Sequence, residues 1–388
     1  MYYLVFKIIL VWIKNTMSQK ILVVFGTRPE VIKLAPVILE MKRHPENFDV
    51  ILCSTGQHKE LLDLALEDFD LVPDIYLQIM KQGQSLSNLT SNLINTLSKV
   101  IDQYSPDILL VQGDTTTVMA ASLVAFYKGI RIGHIEAGLR SWNLHSPFPE
   151  ELNRRLVSLI TDYHFTPTKE ATANLIEEKV DGRKIFETGN TIIDAIGYIK
   201  NYGKHDPLPA NLQSMFDRFK KVILVTAHRR ESFGESFVAI CNALKSIASE
   251  NKDVGLVFPV HMNPNVVTPV HKILGNVPGI LLTEPLSYKT MISLMQRCYF
   301  VLTDSGGIQE EALALSIPVL VMRDTTEREE GIRAGGSILV GTDYSNILFA
   351  ANELLENEGK HGIMSKAVNP YGDGTAARKI VSVLIGKS

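Results

Sequence analysis

Twelve apolar runs of β-forming residues constrain this chain more than any other feature. Each ends in a polar or glycine-bearing loop, and helical patterns follow. Six are ILVVF (21–25), FDVILCST (48–55), DILLVQ (107–112), RIGHIE (131–136), YHFTPT (163–168) and KIFETG (184–189). Six more are KVILVTAH (221–228), GLVFPVH (255–261), GILLTEP (279–285), FVLTDSGG (300–307), PVLVM (318–322) and SILVG (337–341). A near-continuous apolar strand leaves no face for water, so helices must cover both sides of a parallel sheet. The polar stretch NYGKHDPLPANLQ (201–213) divides the two series and reads as a linker. The expectation is α/β: two doubly wound halves, 18–200 and 201–368, with a cleft between them. The 388-residue length suits two domains. A last helix within 369–388, opened by Gly372, Asp373 and Gly374, is expected to pack across a domain boundary. In such sheets ligands bind at the carboxyl ends of the strands.

Charge and cysteine usage narrow the function. Net charge is −3, with no basic stripe, which argues against nucleic acid as the main partner. Cys53, Cys241 and Cys298 are scattered beside apolar runs and in no CxxC spacing. They read as reduced, partly buried thiols of a cytoplasmic protein. The segment MYYLVFKIILVWIKN is apolar but short and interrupted by lysine, so no membrane span is expected. Met17 is the expected natural start, with residues 1–16 an upstream extension.

The polar residues that close the strands carry the chemistry. GTRPE (26–30) leaves the first run, with Pro29 where a helix tolerates proline, and Arg28 and Lys33 are candidates for an anion. No GxGxxG appears, so the dinucleotide fingerprint is absent. Asp114 in GDTTTV (113–118) stands where substrates sit in this architecture, although an aspartate there also suits a helix N-cap. In HIEAGLRSWNLHSPFPEELNRR, Glu136 ends a strand and Glu150 follows the stiff Pro147-Phe148-Pro149. Both read as chemistry. Glu150 with Arg154 and Glu151 with Arg155 also have the spacing of surface ion pairs, and Glu151 keeps that reading.

His228, Arg229 and Arg230 follow one strand directly, and arginine forks match phosphate oxygens. Ser305-Gly306-Gly307 stand between a strand and a helix. Glycine lets backbone approach a ligand, and free N–H groups at a helix start bind anions. Glu310 and Glu311 suit sugar hydroxyls, with helix-dipole complementarity the plainer role for Glu310. VMRDTTERE (321–329) gathers Arg323, Asp324, Glu327 and Arg328 in a polar loop.

GTRPEVIKLAP, TGQH, GDTTTV, HIEAGLR, SPFPEELNRR, TGNTIID, VTAHRRESFG, PVHMNPNV, TDSGGIQEEA, VMRDTTERE and NPYGDGTAARKI resemble the motif set of the non-hydrolysing UDP-N-acetylglucosamine 2-epimerases. The match runs from residue 18 to about 385. The resemblance implies a glycosyltransferase-B-like fold of two Rossmann-like domains, with a last helix crossing back to the first. It implies interconversion of UDP-GlcNAc and UDP-ManNAc by a homodimer, with no NAD and no metal. UDP would leave by anti elimination through 2-acetamidoglucal and add back. The acid/base set would fall on Asp114, Glu136 and Glu150, with His228 on the diphosphate or assisting its departure. Arg28, Lys33, Ser305, Gly306, Gly307, Glu311 and Arg328 would bind the nucleotide sugar. Gln57, His58, Gln82, Arg229 and His261 lie in segments that hold a second, activating UDP-GlcNAc in bacterial members.

The chain departs from the family pattern at three places. Ala227 stands where glycine is common, Leu286 and Met291 occupy the uracil-side segment EPLSYKTM, and Glu329 follows Arg328 where proline is usual. Rival readings are a sugar transferase of the same architecture, a hydrolysing epimerase that releases UDP and ManNAc, and a non-catalytic nucleotide-sugar sensor.

Overall fold

The computed structural model describes residues 18–56, 59–79, 83–202 and 207–386. The chain forms two compact units. One comprises residues up to Tyr198 together with Gly372 onward, and the other runs from Ile199 to Tyr371.

In the first unit the strands are β1 (Gln19–Phe25), β2 (Phe48–Ser54), β3 (Ile75–Tyr76), β4 (Ile108–Gln112), β5 (Arg131–Ile135), β6 (Tyr163–Thr166) and β7 (Ile185–Glu187). The helices are α1 (Arg28–Lys42), α2 (Lys59–Asp68), α3 (Leu86–Tyr104), α4 (Thr116–Tyr127), α5 (Glu150–Ile160), α6 (Lys169–Glu177) and α7 (Thr191–Tyr202), whose end enters the second unit. The strands form one sheet in the order β3-β2-β1-β4-β5-β6-β7, and every pairing is parallel.

The second unit contains α8 (Ala210–Arg218), α9 (Glu235–Glu250), α10 (Pro264–Leu274), α11 (Tyr288–Met295), α12 (Gly306–Ala314), α13 (Glu329–Arg333), α14 (Tyr344–Glu356) and α15 (Glu358–Ser365). Its strands are β8 (Lys221–Thr226), β9 (Val254–Pro259), β10 (Ile280–Thr283), β11 (Phe300–Thr303), β12 (Val319–Val321) and β13 (Ser337–Leu339). They too are parallel, in the order β10-β9-β8-β11-β12-β13. Both sheets therefore grow outward in both directions from a first strand. Each has one point where neighbouring connections diverge, β1/β4 and β8/β11, and such a switch point opens a crevice for ligands.

Burial explains the apolar runs. Ile21 to Phe25, Ile108 to Val111 and Ile223 to Val225 are fully buried. Each such side chain contributes about 1.5–3 kcal/mol by leaving water. That stable floor carries polar loops at its carboxyl rim. β3 has no counterpart among the apolar runs, because two residues show no periodicity. It forms by pairing Cys53 with Ile75, and the Asp74 carboxylate accepts the Leu52 N–H at 2.8 Å. The stretch read as a linker is shorter than expected, since α8 begins at Ala210.

The last helix, α16 (Ala376–Ile385), belongs to the first unit and packs against α1. Asp194 on α7 holds its start by accepting the N–H groups of Ala376 and Ala377 at 3.2 and 3.0 Å. These are orphan donors of a first turn. The three cysteines are buried and unbridged, and burial pushes the Cys53 and Cys241 thiols up to about 12. Among the described residues no helix is long and apolar enough to cross a membrane.

Candidate active site

The switch point of the first sheet is tied together by a residue to which the motif reading gave no role. Thr27 and Glu30 form a capping box at the start of α1. Glu30 Oε2 accepts the N–H groups of Gly26 and Thr27 at 3.0 and 2.7 Å, and Oε1 accepts the Thr115 hydroxyl at 2.9 Å. One buried carboxylate thus joins the loop after β1 to the loop after β4. The T-x-x-E spacing was the available signal. Arg28 opens α1 beside it, half-buried.

Glu136 lies one residue beyond β5 with φ of 64°. A side chain in the left-handed region costs of order 1–3 kcal/mol, and such residues cluster at functional sites. Lys33 Nζ and Gln112 Nε2 both donate to Glu136 Oε2, the latter at 2.8 Å. The Lys33 and Glu136 side chains are each only 7% exposed. Lys33, expected on an anionic ligand, stands here on a catalytic candidate.

Asp114 is not the helix N-cap. Thr115 takes that place, its hydroxyl accepting the Val118 N–H at 3.3 Å. Asp114 instead meets α5. Its Oδ2 accepts from Arg154 Nε and Nη2 at 2.9 and 2.7 Å, and its carbonyl accepts from Asn153 Nδ2 at 2.8 Å. Glu150 is the first residue of α5 and half-buried, so the helix that carries it is pinned to the Asp114 loop. His134 braces the same loop from β5, its Nε2 lying 2.7 Å from the Gly113 carbonyl. A carbonyl only accepts, so that nitrogen carries the proton. Burial pulls His134 down to about 4, which leaves it neutral.

The expected surface pair of Glu151 with Arg155 is overturned. Glu151 is fully buried, not paired with Arg155 at the surface. Its carboxylate accepts the Ser141 and Trp142 N–H groups at 3.0 and 3.2 Å and binds Arg154 Nη1 at 3.0 Å. Arg155 pairs with Glu178 at 3.2 Å, and Arg154 with Asp114 and Glu151 rather than serving at the surface. The reason is helix packing. The face of α5 that carries Glu151, Asn153 and Arg154 turns inward, and α5 packs against α4.

In the second unit Ser305, Gly306 and Gly307 open α12 directly after β11. Ser305 is the N-cap, yet its side chain makes no capping bond. Arg328 lies across this turn, and a Cβ on Gly306 would fall 3.1 to 3.3 Å from its guanidinium atoms. Glycine lets the guanidinium lie this close without shifting. Arg328 Nε also donates to Glu310 Oε1 at 3.0 Å. Glu310 is therefore a buried ion-pair partner, not a first-turn charge serving the dipole. Glu311 is buried beside it in sequence.

Arg323 donates to Glu231 at 2.7 Å and to Glu327 at 2.9 Å. Burial alone would raise Glu327, but Arg328 and Arg323 outweigh it and hold the carboxyl at about 2. His228 and Arg229 follow β8, and the His228 ring stacks on exposed His261 with centroids 5.1 Å apart. Of the residues tied to an activator, Gln57, His58 and Gln82 lie outside the described residues.

Each unit thus carries buried or half-buried ion pairs at its strand ends: Lys33 with Glu136 and Arg154 with Asp114 in the first, and Arg328 with Glu310 beside a glycine turn in the second. A family model described as UDP-N-acetylglucosamine 2-epimerase matches residues 39–385. The UDP-N-acetylglucosamine 2-epimerase of Escherichia coli K12 is 48% identical over 370 residues, covering 94% of this chain and 98% of that protein. The crystal structure of the Neisseria meningitidis UDP-GlcNAc 2-epimerase, solved bound to UDP-GlcNAc, superimposes with a TM-score of 0.89. It is 44% identical, covering 95% of this chain and 100% of that one. The Methanocaldococcus jannaschii enzyme, in complex with UDP-GlcNAc and UDP, gives a TM-score of 0.81 at 32% identity, covering 94% and 99%. Two parallel Rossmann-like sheets, the carboxylate cluster and these matches together place the chain in the UDP-N-acetylglucosamine 2-epimerase family.

Proposed function

We propose that this chain interconverts UDP-GlcNAc and UDP-ManNAc without net hydrolysis, by anti elimination and re-addition of UDP. The C2 proton goes to a carboxylate while the C1–O bond breaks, its electron pair leaving with UDP. This forms 2-acetamidoglucal. UDP then adds back to C1 as C2 takes a proton on the opposite face. Atoms and electrons balance without a hydride carrier. The observation that carries the reading is Glu136, kept in a left-handed backbone conformation with Lys33 and Gln112 on one oxygen. A residue of that cost is retained for its side chain. Proton transfer by Asp114, Glu136 and Glu150 fits general acid–base catalysis. Arg28, Lys33, Ser305, Gly306, Gly307, Glu311 and Arg328 are the proposed nucleotide-sugar contacts, with His228 stabilising charge on the departing diphosphate.

Incubation with UDP-GlcNAc in D₂O tests the mechanism. The expected product is UDP-ManNAc carrying deuterium at C2. Product without deuterium excludes the elimination, and UDP accumulating in step with free ManNAc identifies a hydrolysing enzyme instead.

A homodimer is part of the same reading and has support in α5. That helix buries its polar face yet exposes Leu152, Leu156 and Leu159, the last 80% exposed. Phe126 and Tyr127, at the end of neighbouring α4, are exposed as well. An outward leucine stripe suits a second copy of the chain. Leu156→Glu combined with Leu159→Glu is expected to give a monomer by light scattering. A variant that remains dimeric places the interface elsewhere. The three free, buried thiols fit a reducing cytoplasm.

A further inference from the structure

Asp304 is fully buried just beyond the end of β11, beside β8 at the switch point of the second sheet. Its Oδ2 accepts the backbone N–H groups of His228 and Arg229 at 2.6 and 2.7 Å. Its Oδ1 has no hydrogen-bond partner and lies 3.5 Å from His228 Nδ1. The His228 side chain is 37% exposed, so part of the ring reaches solvent while this nitrogen lies near a dry carboxylate. Buried carboxylate oxygens are rarely left without a donor, and each exception calls for a reason.

We propose that Asp304 is a positioning residue for His228. It fixes the backbone at 228 and 229 and holds the ring with Nδ1–H toward the carboxylate, so that Nε2 is presented to the substrate diphosphate. The assignment rests on the epimerase reading for its substrate, but its geometry does not. A carboxylate accepts only, so Nδ1–H faces it, and the protonated ring then keeps a second N–H on Nε2 that can donate to the diphosphate. It also favours the imidazolium that would stabilise charge on departing UDP. The groups around the ring act in different directions. Desolvation lowers the pKa of His228 and is the largest influence, Asp304 raises it, and Arg229 lowers it, with the His261 ring stacked alongside.

Asp304→Asn separates orientation from folding. The amide oxygen can still accept both N–H groups, so the loop is kept. The charge is lost, so the carboxylate no longer favours the imidazolium or holds its Nδ1–H. Here kcat is expected to fall at least ~10-fold, with KM and Tm nearly unchanged. His228 titration, followed by NMR of the ring, is expected to move down by about one pH unit or more, the usual size for removing a nearby opposite charge. In a His228→Asn background, Asp304→Asn is expected to add less than about twofold, because coupled residues are not additive.

An unshifted His228 titration, or the same loss in both backgrounds, overturns the proposal. If the wild-type protein shows no epimerase activity, the functional reading fails by itself. The ring titration then decides the role of Asp304 alone.

Discussion

Asp114→Asn and Glu136→Gln are each expected to reduce UDP-ManNAc formation by at least ~10²-fold, the low end of general acid–base contributions. The two substitutions differ in what they disturb. Asp114→Asn removes one partner of Arg154, but Arg154 keeps its 3.0 Å bond to Glu151. The fold should therefore hold, and the loss should appear in kcat with little change in Tm. In Glu136→Gln the amide oxygen can still accept from Lys33 and Gln112, but Lys33 loses the charge opposite it. A buried cation without its counter-ion is costly, so a modest fall in Tm is expected beside the loss of rate. Deuterium exchange at C2 should slow in parallel with product formation. Wild-type turnover in both variants removes these carboxylates from the mechanism, and slowed product with undiminished exchange restricts their role to a step after proton removal.

Glu151→Ala gives the second large effect, and it is on stability. Glu151 is fully buried and binds the N–H groups of Ser141 and Trp142 together with Arg154. Removing one partner of a buried charge pair typically costs 3–5 kcal/mol. For a unit of about 200 residues each kcal/mol lowers Tm by roughly 2–4 °C, so a fall of about 6–20 °C is expected by calorimetry. Glu151→Gln should recover part of it, since the amide oxygen still accepts. A wild-type Tm for Glu151→Ala would mean that the loop 141–142 and Arg154 find other partners without cost. Comparison with Asp114→Asn sorts the two ends of Arg154: loss at the Asp114 end is read in rate, and loss at the Glu151 end in folding.

Much of the architecture was legible in the chain. Apolar runs without alternation require burial on both faces, and loops that close such runs with Gly113-Asp114 or Ser305-Gly306-Gly307 fall at the ligand-binding rim. β3 was not legible, because two residues carry no pattern and depend on the Cys53–Ile75 pairing. The N-cap of α4 was ambiguous between Asp114 and Thr115, since both residue types suit it. The structure assigns it to Thr115 and leaves Asp114 to Arg154.

Residue type and order determined by themselves that this is a two-sheet α/β chain of the 2-epimerase family, with Asp114, Glu136 and Glu150 as the carboxylates of interest. Tertiary structure alone decided the partners of those carboxylates. Helix spacing made Glu151 with Arg155 and Glu150 with Arg154 look like surface pairs, because spacing along a helix carries no information about which face turns inward. The packing of α5 against α4 put Arg154 between Asp114 and Glu151. Lys33 meets Glu136 and Asp304 meets His228 across 103 and 76 residues of chain. Such meetings follow from strand order, which brings distant loops to one rim and is a property of the folded sheet, not of any local segment.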